Sequence, residues 1–195
     1  MTEHGPARDD ELARSCRAGD ARALAVLYGR HAPALLGYLE RVLGERADAE
    51  DVLHEAFLRL FEGRGRYRGR GRFRPWLFTV ATRLATDRLR SAARRDRLAG
   101  AAFDEIGPPA PEPPDDRAAA RQLVERVESA LGDLPAAYAA AFHLRVREQF
   151  RYREIAAITG EPEGTLRSRV HHALKRVRNA LSEPRPPRTT ERRER

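Results

Sequence analysis

The stretch Tyr152–Leu181 reads YREIAAITGEPEGTLRSRVHHALKRVRNAL. Its spacing predicts two helices separated by a tight turn. A short helix carries Ile155, Ala156 and Ile158 on one face. Thr159-Gly160-Glu161-Pro162 then breaks the period, because glycine and proline punctuate helices. A longer helix starts near Glu163–Thr165, with Leu166, Val170, Ala173 or Leu174, Val177 and Leu181 as its inward positions. The small Ala156 permits a close crossing, as a helix-turn-helix requires. With Leu166 and Val170 inward, Thr165, Arg167, Ser168, His171 and His172 face out and can reach base edges in a major groove. Arg169, Lys175, Arg176 and Arg178 suit phosphates. Between Glu163 and Leu181 five basic residues face one acid, a balance that favours a polyanion. A solvated basic face is the plainer alternative, and the short helix and turn before it weigh against that. His171 and His172 have no carboxylate or cysteine constellation around them, so no metal site is expected.

Working upstream, Arg117–Leu131 reads as a helix with Leu123, Val124, Val127 and Leu131 inward, and Pro135–Glu148 as another. Gly100–Asp116 carries five prolines and several acids, and is read as a flexible linker. Before it, Asp9–Gly44 is helical, punctuated at Gly19-Asp20, with Pro33 placed to open a further turn. Asp48–Phe61 is a helix with Val52, Leu53, Ala56, Phe57, Leu60 and Phe61 as its apolar stripe and acids crowding its first turns. Gly63–Arg74 reads GRGRYRGRGRFR; four glycines and six arginines predict a basic loop. Pro75 stands where the next helix begins. Leu77, Val80, Ala81 and Leu84 are inward on it, with Thr79, Thr82, Arg83, Thr86 and Arg90 opposite. The expected fold class is therefore all-α: two small helical modules, 9–97 and 117–182, joined by the linker 98–116 and followed by a disordered basic tail, 183–195.

Bulk properties agree. The 195 residues carry a formal net charge of +8, and all but one of the 37 basic residues are arginine, the side chain best suited to bidentate phosphate and guanine contacts. Cys16 is the sole cysteine, which rules out an internal disulfide framework and fits a reducing cytoplasm. No stretch has the length of a membrane span and the N-terminus lacks an apolar signal core, so a cytoplasmic location without membrane insertion is expected.

These motifs resemble a known family. EIAAITGEPEGTLRSRVHHALKRVR is similar to the region-four helix-turn-helix of extracytoplasmic-function sigma factors of the sigma-70 family. DAEDVLHEAFLRLF, from Asp48 to Phe61, resembles the region-two helix that binds the polymerase clamp; Pro75–Thr82 with Asp87, Leu89 and Arg90 resembles the helix that reads the −10 element. This chain departs from the family's usual residues at His54, Arg83 and Ala139, where glutamine, asparagine and arginine are common. The resemblance implies a transcription initiation factor with no catalytic residues and no cofactor. Its implied partners are core RNA polymerase (clamp helices and flap), promoter DNA and an anti-sigma factor. It implies polymerase contacts at Asp48, Glu50, Asp51, His54, Glu55 and Leu58. It implies −10 contacts at Arg68, Arg70, Arg72, Phe73, Arg83, Thr86 and Arg90, with Phe73 and Tyr67 placed to stack on bases. The helix-turn-helix set, Thr165, Arg167, Ser168, Arg169, His171, His172, Lys175 and Arg176, falls to the −35 element. The alternative is another kind of helix-turn-helix transcriptional regulator.

Overall fold

The computed structural model describes residues 6–63, 67, 71–99 and 118–182. Among them lie eight α-helices: α1 (Pro6–Arg17), α2 (Ala21–Leu43), α3 (Arg46–Phe61), α4 (Phe73–Ala99), α5 (Ala118–Gly132), α6 (Ala136–Phe142), α7 (Tyr152–Thr159) and α8 (Glu163–Ser182). No strand occurs among the described residues. Residues 100–117, Arg68 and Arg70, and the tail beyond Ser182 lie outside them, while Leu98 and Ala99, expected in the linker, belong to α4.

Asp20 starts α2 by accepting hydrogen bonds from the backbone N–H groups of Arg22 and Ala23, at 2.9 and 3.2 Å, two of the donors that a helix start leaves unpaired. The helix then runs unbroken through Pro33, contrary to the expected fresh turn there. Proline removes one hydrogen bond and crowds the carbonyl four residues back. Here that residue is Gly29, and both it and Pro33 are exposed, so water can reach the freed carbonyl. The apolar repeat on the other side, Leu27, Leu35 and Leu39, is fully buried. Burial of each such leucine contributes roughly 1.5–3 kcal/mol, enough to hold the helix together across the proline.

Leu53, Ala56 and Leu60 of α3 and Leu77, Phe78, Ala81 and Ala85 of α4 complete the first core with Ala13 and Cys16 of α1. In the second module Leu131 and Phe142 pack with Ala173, and of the two inward candidates on α8 it is Ala173 that is buried while Leu174 is exposed. Leu123 and Val124 of α5, expected inward, are 51% and 58% exposed; the inward face of that helix begins at Val127 and Leu131. Leu181 is also exposed. The expected helix through Glu148 stops at Phe142 and gives way to a π-helical turn, His143–Arg147. That turn is closed by Glu148 N–H donating to His143 O at 3.0 Å. Gln149 follows in the left-handed region at φ 57°, and Phe150 N–H donates to Leu144 O at 3.0 Å.

The two modules pack directly against each other, α2 on α6 and α4 on α7, and one cluster of buried residues runs through both, beside the smaller cluster of Leu131, Phe142 and Ala173.

Candidate nucleic-acid and polymerase interfaces

Gly160, at φ 77°, makes the left-handed turn between α7 and α8 that a side chain would strain. Ile155 and Ile158 below it and Leu166, Val170 and Ala173 of α8 are buried. That orientation leaves Thr165, Arg167, Ser168, His171, His172, Lys175 and Arg176 exposed on one side. Arg169 behaves differently. It is half-buried, pairs with Glu161 and lies 5.8 Å from the centre of the Tyr138 ring. It braces the turn from within. Arg176 reaches Asp133 at 3.2 Å.

Two residues outside the expected set join this surface. The Tyr152 ring, at the first position of α7, carries the Arg167 guanidinium 5.0 Å from its centre and that of Arg145 at 5.3 Å. Arg145 sits on the π-helical turn, whose geometry no simple period predicts. The available signal was an aromatic residue opening the first helix of a helix-turn-helix, with arginines seven residues before it on the turn and fifteen after it on α8.

In the first module the acids of α3 are each tied to a neighbouring arginine. Arg88 of α4 bridges Asp48 and Asp51, the latter at 2.9 Å; Arg46 holds Glu50 at 2.9 Å and Arg59 holds Glu55 at 2.8 Å. His54 is exposed, with its Nε2 3.2 Å from the Tyr28 hydroxyl. Leu58 is 50% exposed. Both border an apolar groove of about 640 Å³ between α2 and α3, with Leu24, Tyr28 and Phe57 in its wall.

Arg72, just before α4, and Arg83 and Arg90 on it are exposed, and Thr86 is half-buried. The hydroxyls of Thr79, Thr82 and Thr86 donate to the carbonyls of Pro75, Phe78 and Thr82 at 2.7–2.8 Å. Phe73 lies elsewhere than expected. It is 2% exposed, among Tyr67 at 5.6 Å, Trp76 at 5.9 Å and His31 at 5.3 Å. Tyr67 is buried too, and its hydroxyl donates to Asp10. Neither ring is free to stack on a base in this conformation. An aromatic among arginines looked like a stacking platform in sequence; the apolar space at the start of α4 claims it instead. Asp10, unnoticed in sequence, also accepts from the Gly71 N–H, and Arg17 donates to the Tyr67 carbonyl at 2.8 Å. These contacts pin the basic loop to α1.

No group of histidine, cysteine, aspartate and glutamate side chains suited to a metal ion occurs among the described residues. None of their helices is long and apolar enough to cross a membrane.

Comparison with known proteins accounts for both modules. Residues 27–95 match the family model for Sigma-70 region 2, and residues 124–177 that for Sigma-70, region 4. The chain is 35% identical over 167 residues to the RNA polymerase sigma factor CarQ of Myxococcus xanthus, covering 86% of this chain and 94% of CarQ. It is 34% identical over 168 residues to the ECF RNA polymerase sigma factor SigL of Mycobacterium tuberculosis, covering 85% and 93%. Among solved structures, the sigma factor RpoE bound to the anti-sigma factor NepR from Bartonella quintana aligns with a TM-score of 0.64 at 23% identity, over 83% of this chain and 98% of that one. CnrH bound to the cytosolic domain of CnrY aligns at 0.60 and 23%, over 89% and 97%. Those two likenesses speak to the fold; the family matches and the relatives above 30% identity go further, and the chain belongs to the extracytoplasmic-function group of the sigma-70 family of RNA polymerase sigma factors.

Proposed function

We propose that this chain carries core RNA polymerase to its promoters in the cytoplasm, without catalytic chemistry or a cofactor of its own, and that three surfaces divide the work. The outward face of α8, led by Arg167, Ser168, His171 and His172, reads the −35 element as duplex in the major groove. Arg145 and Lys175 serve the flanking phosphates. Arg72, Arg83, Thr86 and Arg90, together with the loop arginines Arg68 and Arg70, hold the −10 strand as it unpairs. The α2–α3 groove, with Leu58 and the acids Asp48, Glu50, Asp51 and Glu55 along α3, docks on the polymerase clamp. Opposite charge there steers docking and orientation more than it adds affinity. The flap falls to region 4. An anti-sigma factor is the expected antagonist, since the sigma factor RpoE is seen bound to one.

The observation that carries the reading is the segregation of charge. Arginine is in excess on α8 and α4, while α3 carries four acids against two arginines, so opposite net charge is concentrated on different helices, as two different partners require. Run-off transcription with core polymerase on a library of genomic fragments tests it. A defined set of transcripts that appears only with this chain is the expected result; no chain-dependent transcript refutes it.

A further inference from the structure

Ahead of α4 the chain returns to α1. Asp10 and Arg17 border the face of α1 that buries Ala13 and Cys16. Asp10 is 7% exposed, and its two carboxylate oxygens take two different donors. Oδ1 accepts from the Tyr67 hydroxyl and Oδ2 from the Gly71 N–H. Arg17 donates to the Tyr67 carbonyl at 2.8 Å and so holds Tyr67 from its backbone side. Hydrogen bonds to an ionised acceptor belong to the stronger class, and a buried carboxylate without them is costly. This cluster therefore stays together as a unit. α1 lies before residue 27, where the match to the Sigma-70 region 2 model begins.

What the cluster fixes is Arg72. On one side Gly71 is held by Asp10 at φ 67°, a left-handed turn that a side chain would strain. On the other side Phe73 is 2% exposed, packed among Tyr67, Trp76 and His31. The Arg72 carbonyl itself accepts from the Trp76 N–H at 3.1 Å, the bond that opens α4. The backbone of Arg72 is thus anchored in both directions while its side chain is exposed. Arg74 and Arg88 are each tied to carboxylates; Arg72 makes no ion pair among the described residues.

We propose that Asp10 is a positioning residue for the −10 strand: through Gly71 it sets the backbone from which Arg72 meets a phosphate. The inference rests on the sigma-factor reading, in which Arg72 belongs to the −10 face. Asp10 is too buried to meet the strand itself. It removes, before binding, conformational freedom that Arg72 would otherwise lose on the DNA. Glycine populates both halves of φ space, so an unanchored Gly71 would let Arg72 swing. The Tyr67 hydroxyl orients the carboxylate and keeps its second oxygen aimed at Gly71.

A double-mutant cycle with full-length chains in holoenzyme tests this. The probe is a fork junction with an unpaired −10 strand, taken from a promoter that the parent transcribes; a −35 duplex is the control. Arg72→Ala should weaken fork binding about tenfold and lower the slope of log K against log salt by about 0.7. Asp10→Asn sets an amide N–H group against one of the two donors and should weaken fork binding about fivefold. Tyr67→Phe keeps the ring and its packing and should weaken it about twofold, which covers the case in which Asp10→Asn disturbs α1. Asp10→Asn added to Arg72→Ala should cost nothing further, because the side chain it positions is gone. Co-purification with core polymerase and binding to the −35 duplex should not change. An equal loss from Asp10→Asn in both backgrounds, or a loss shared by the −35 duplex, would make Asp10 a packing residue and overturn the proposal. Parental fork binding by both Asp10→Asn and Tyr67→Phe would overturn it too. A parent that transcribes no promoter refutes the sigma-factor reading, and this inference falls with it; a parent that transcribes while its variants bind the fork equally well refutes the inference alone.

Discussion

The guanidinium of Arg167 lies over the Tyr152 ring, 5.0 Å from its centre, while Glu163 one turn back holds the same group at 3.2 Å. A side chain with many rotamers is thereby confined on the exposed face of α8. Arg167→Ala is expected to weaken binding to a specific −35 duplex by about 1–3 kcal/mol and binding to random duplex by much less. Tyr152→Leu should lose about 0.5–1 kcal/mol of the same discrimination. Tyr152→Phe should retain it, because the ring and not the hydroxyl makes the contact. Anisotropy titrations on the two duplexes check this; equal losses on both would make Arg167 a phosphate contact only.

On the polymerase side, the ion pairs of α3 change which substitutions are informative. Reversing Asp51 would set a cation beside Arg88 and disturb the α3–α4 bridge, so lost binding could reflect lost structure. Glu55 pairs only along its own helix with Arg59, and Leu58 is half exposed. Glu55→Arg combined with Leu58→Glu should leave the thermal midpoint within a few degrees of the parent, since exposed pairs are worth about 0–1 kcal/mol. It should abolish co-purification with core polymerase. Retained co-purification would remove the groove from the proposed interface.

Phe73 separates a packing role from a DNA-contacting one. A phenylalanine this buried costs about 3–5 kcal/mol when cut to alanine. Phe73→Leu keeps most of the apolar volume and should cost far less, with promoter opening, followed by permanganate reactivity of the −10 thymines, unchanged. Lost opening in a folded Phe73→Leu protein would return the ring to the DNA.

How much of this was legible beforehand depends on the range of the contacts involved. The helix-turn-helix was readable because its period, its Gly160 turn and its buried Leu166 and Val170 are all local. Asp48–Phe61 was readable for the same reason. Pro33 misled because the energy holding α2 together comes from Leu27, Leu35 and Leu39 packing on distant residues. Leu123 and Val124 misled because amphipathic spacing identifies a stripe without showing how far its partners extend. Phe73, Tyr67 and Asp10 form a cluster spanning about sixty positions of chain, and the Arg74–Glu148 pair spans seventy-four. Neither leaves a periodic trace.

His31 gives the first module a pH dependence. Burial is the main cause that carries its imidazole below the usual value of 6.5, and Arg74 and Arg30 add to it against the opposing pull of Asp9. The unfolded chain therefore takes up a proton at a pH where the folded chain still resists it, so acidification favours unfolding. Stability from this group is complete above about pH 6.5 and declines as pH falls toward the lower folded-state value. Urea midpoints measured from about pH 8 to about pH 5.5 should fall more for the parent than for His31→Gln. Parallel curves would show that His31 titrates normally.

On the proposed function, Arg83, which stands where the resemblance leads one to expect asparagine, sets how this chain meets the −10 strand. The side chain is exposed on α4, one residue past Thr82 and one turn from Thr86. A guanidinium there can neutralise a phosphate or donate in parallel to a guanine, and the two roles leave different signatures. Loss of one phosphate contact on a single strand lowers the slope of log K against log salt by about 0.7 and affects every sequence alike. Loss of a base contact leaves the slope nearly unchanged and narrows the preference at one position by about 1–3 kcal/mol. Because the hydroxyl of Thr86 is already donating to the carbonyl of Thr82, the arginine is the stronger free donor on this face, and a phosphate role is expected. In holoenzyme bound to fork-junction promoters, Arg83→Ala should therefore flatten the salt dependence with no new base preference. An altered preference at one −10 position with an intact slope would assign Arg83 to a base instead.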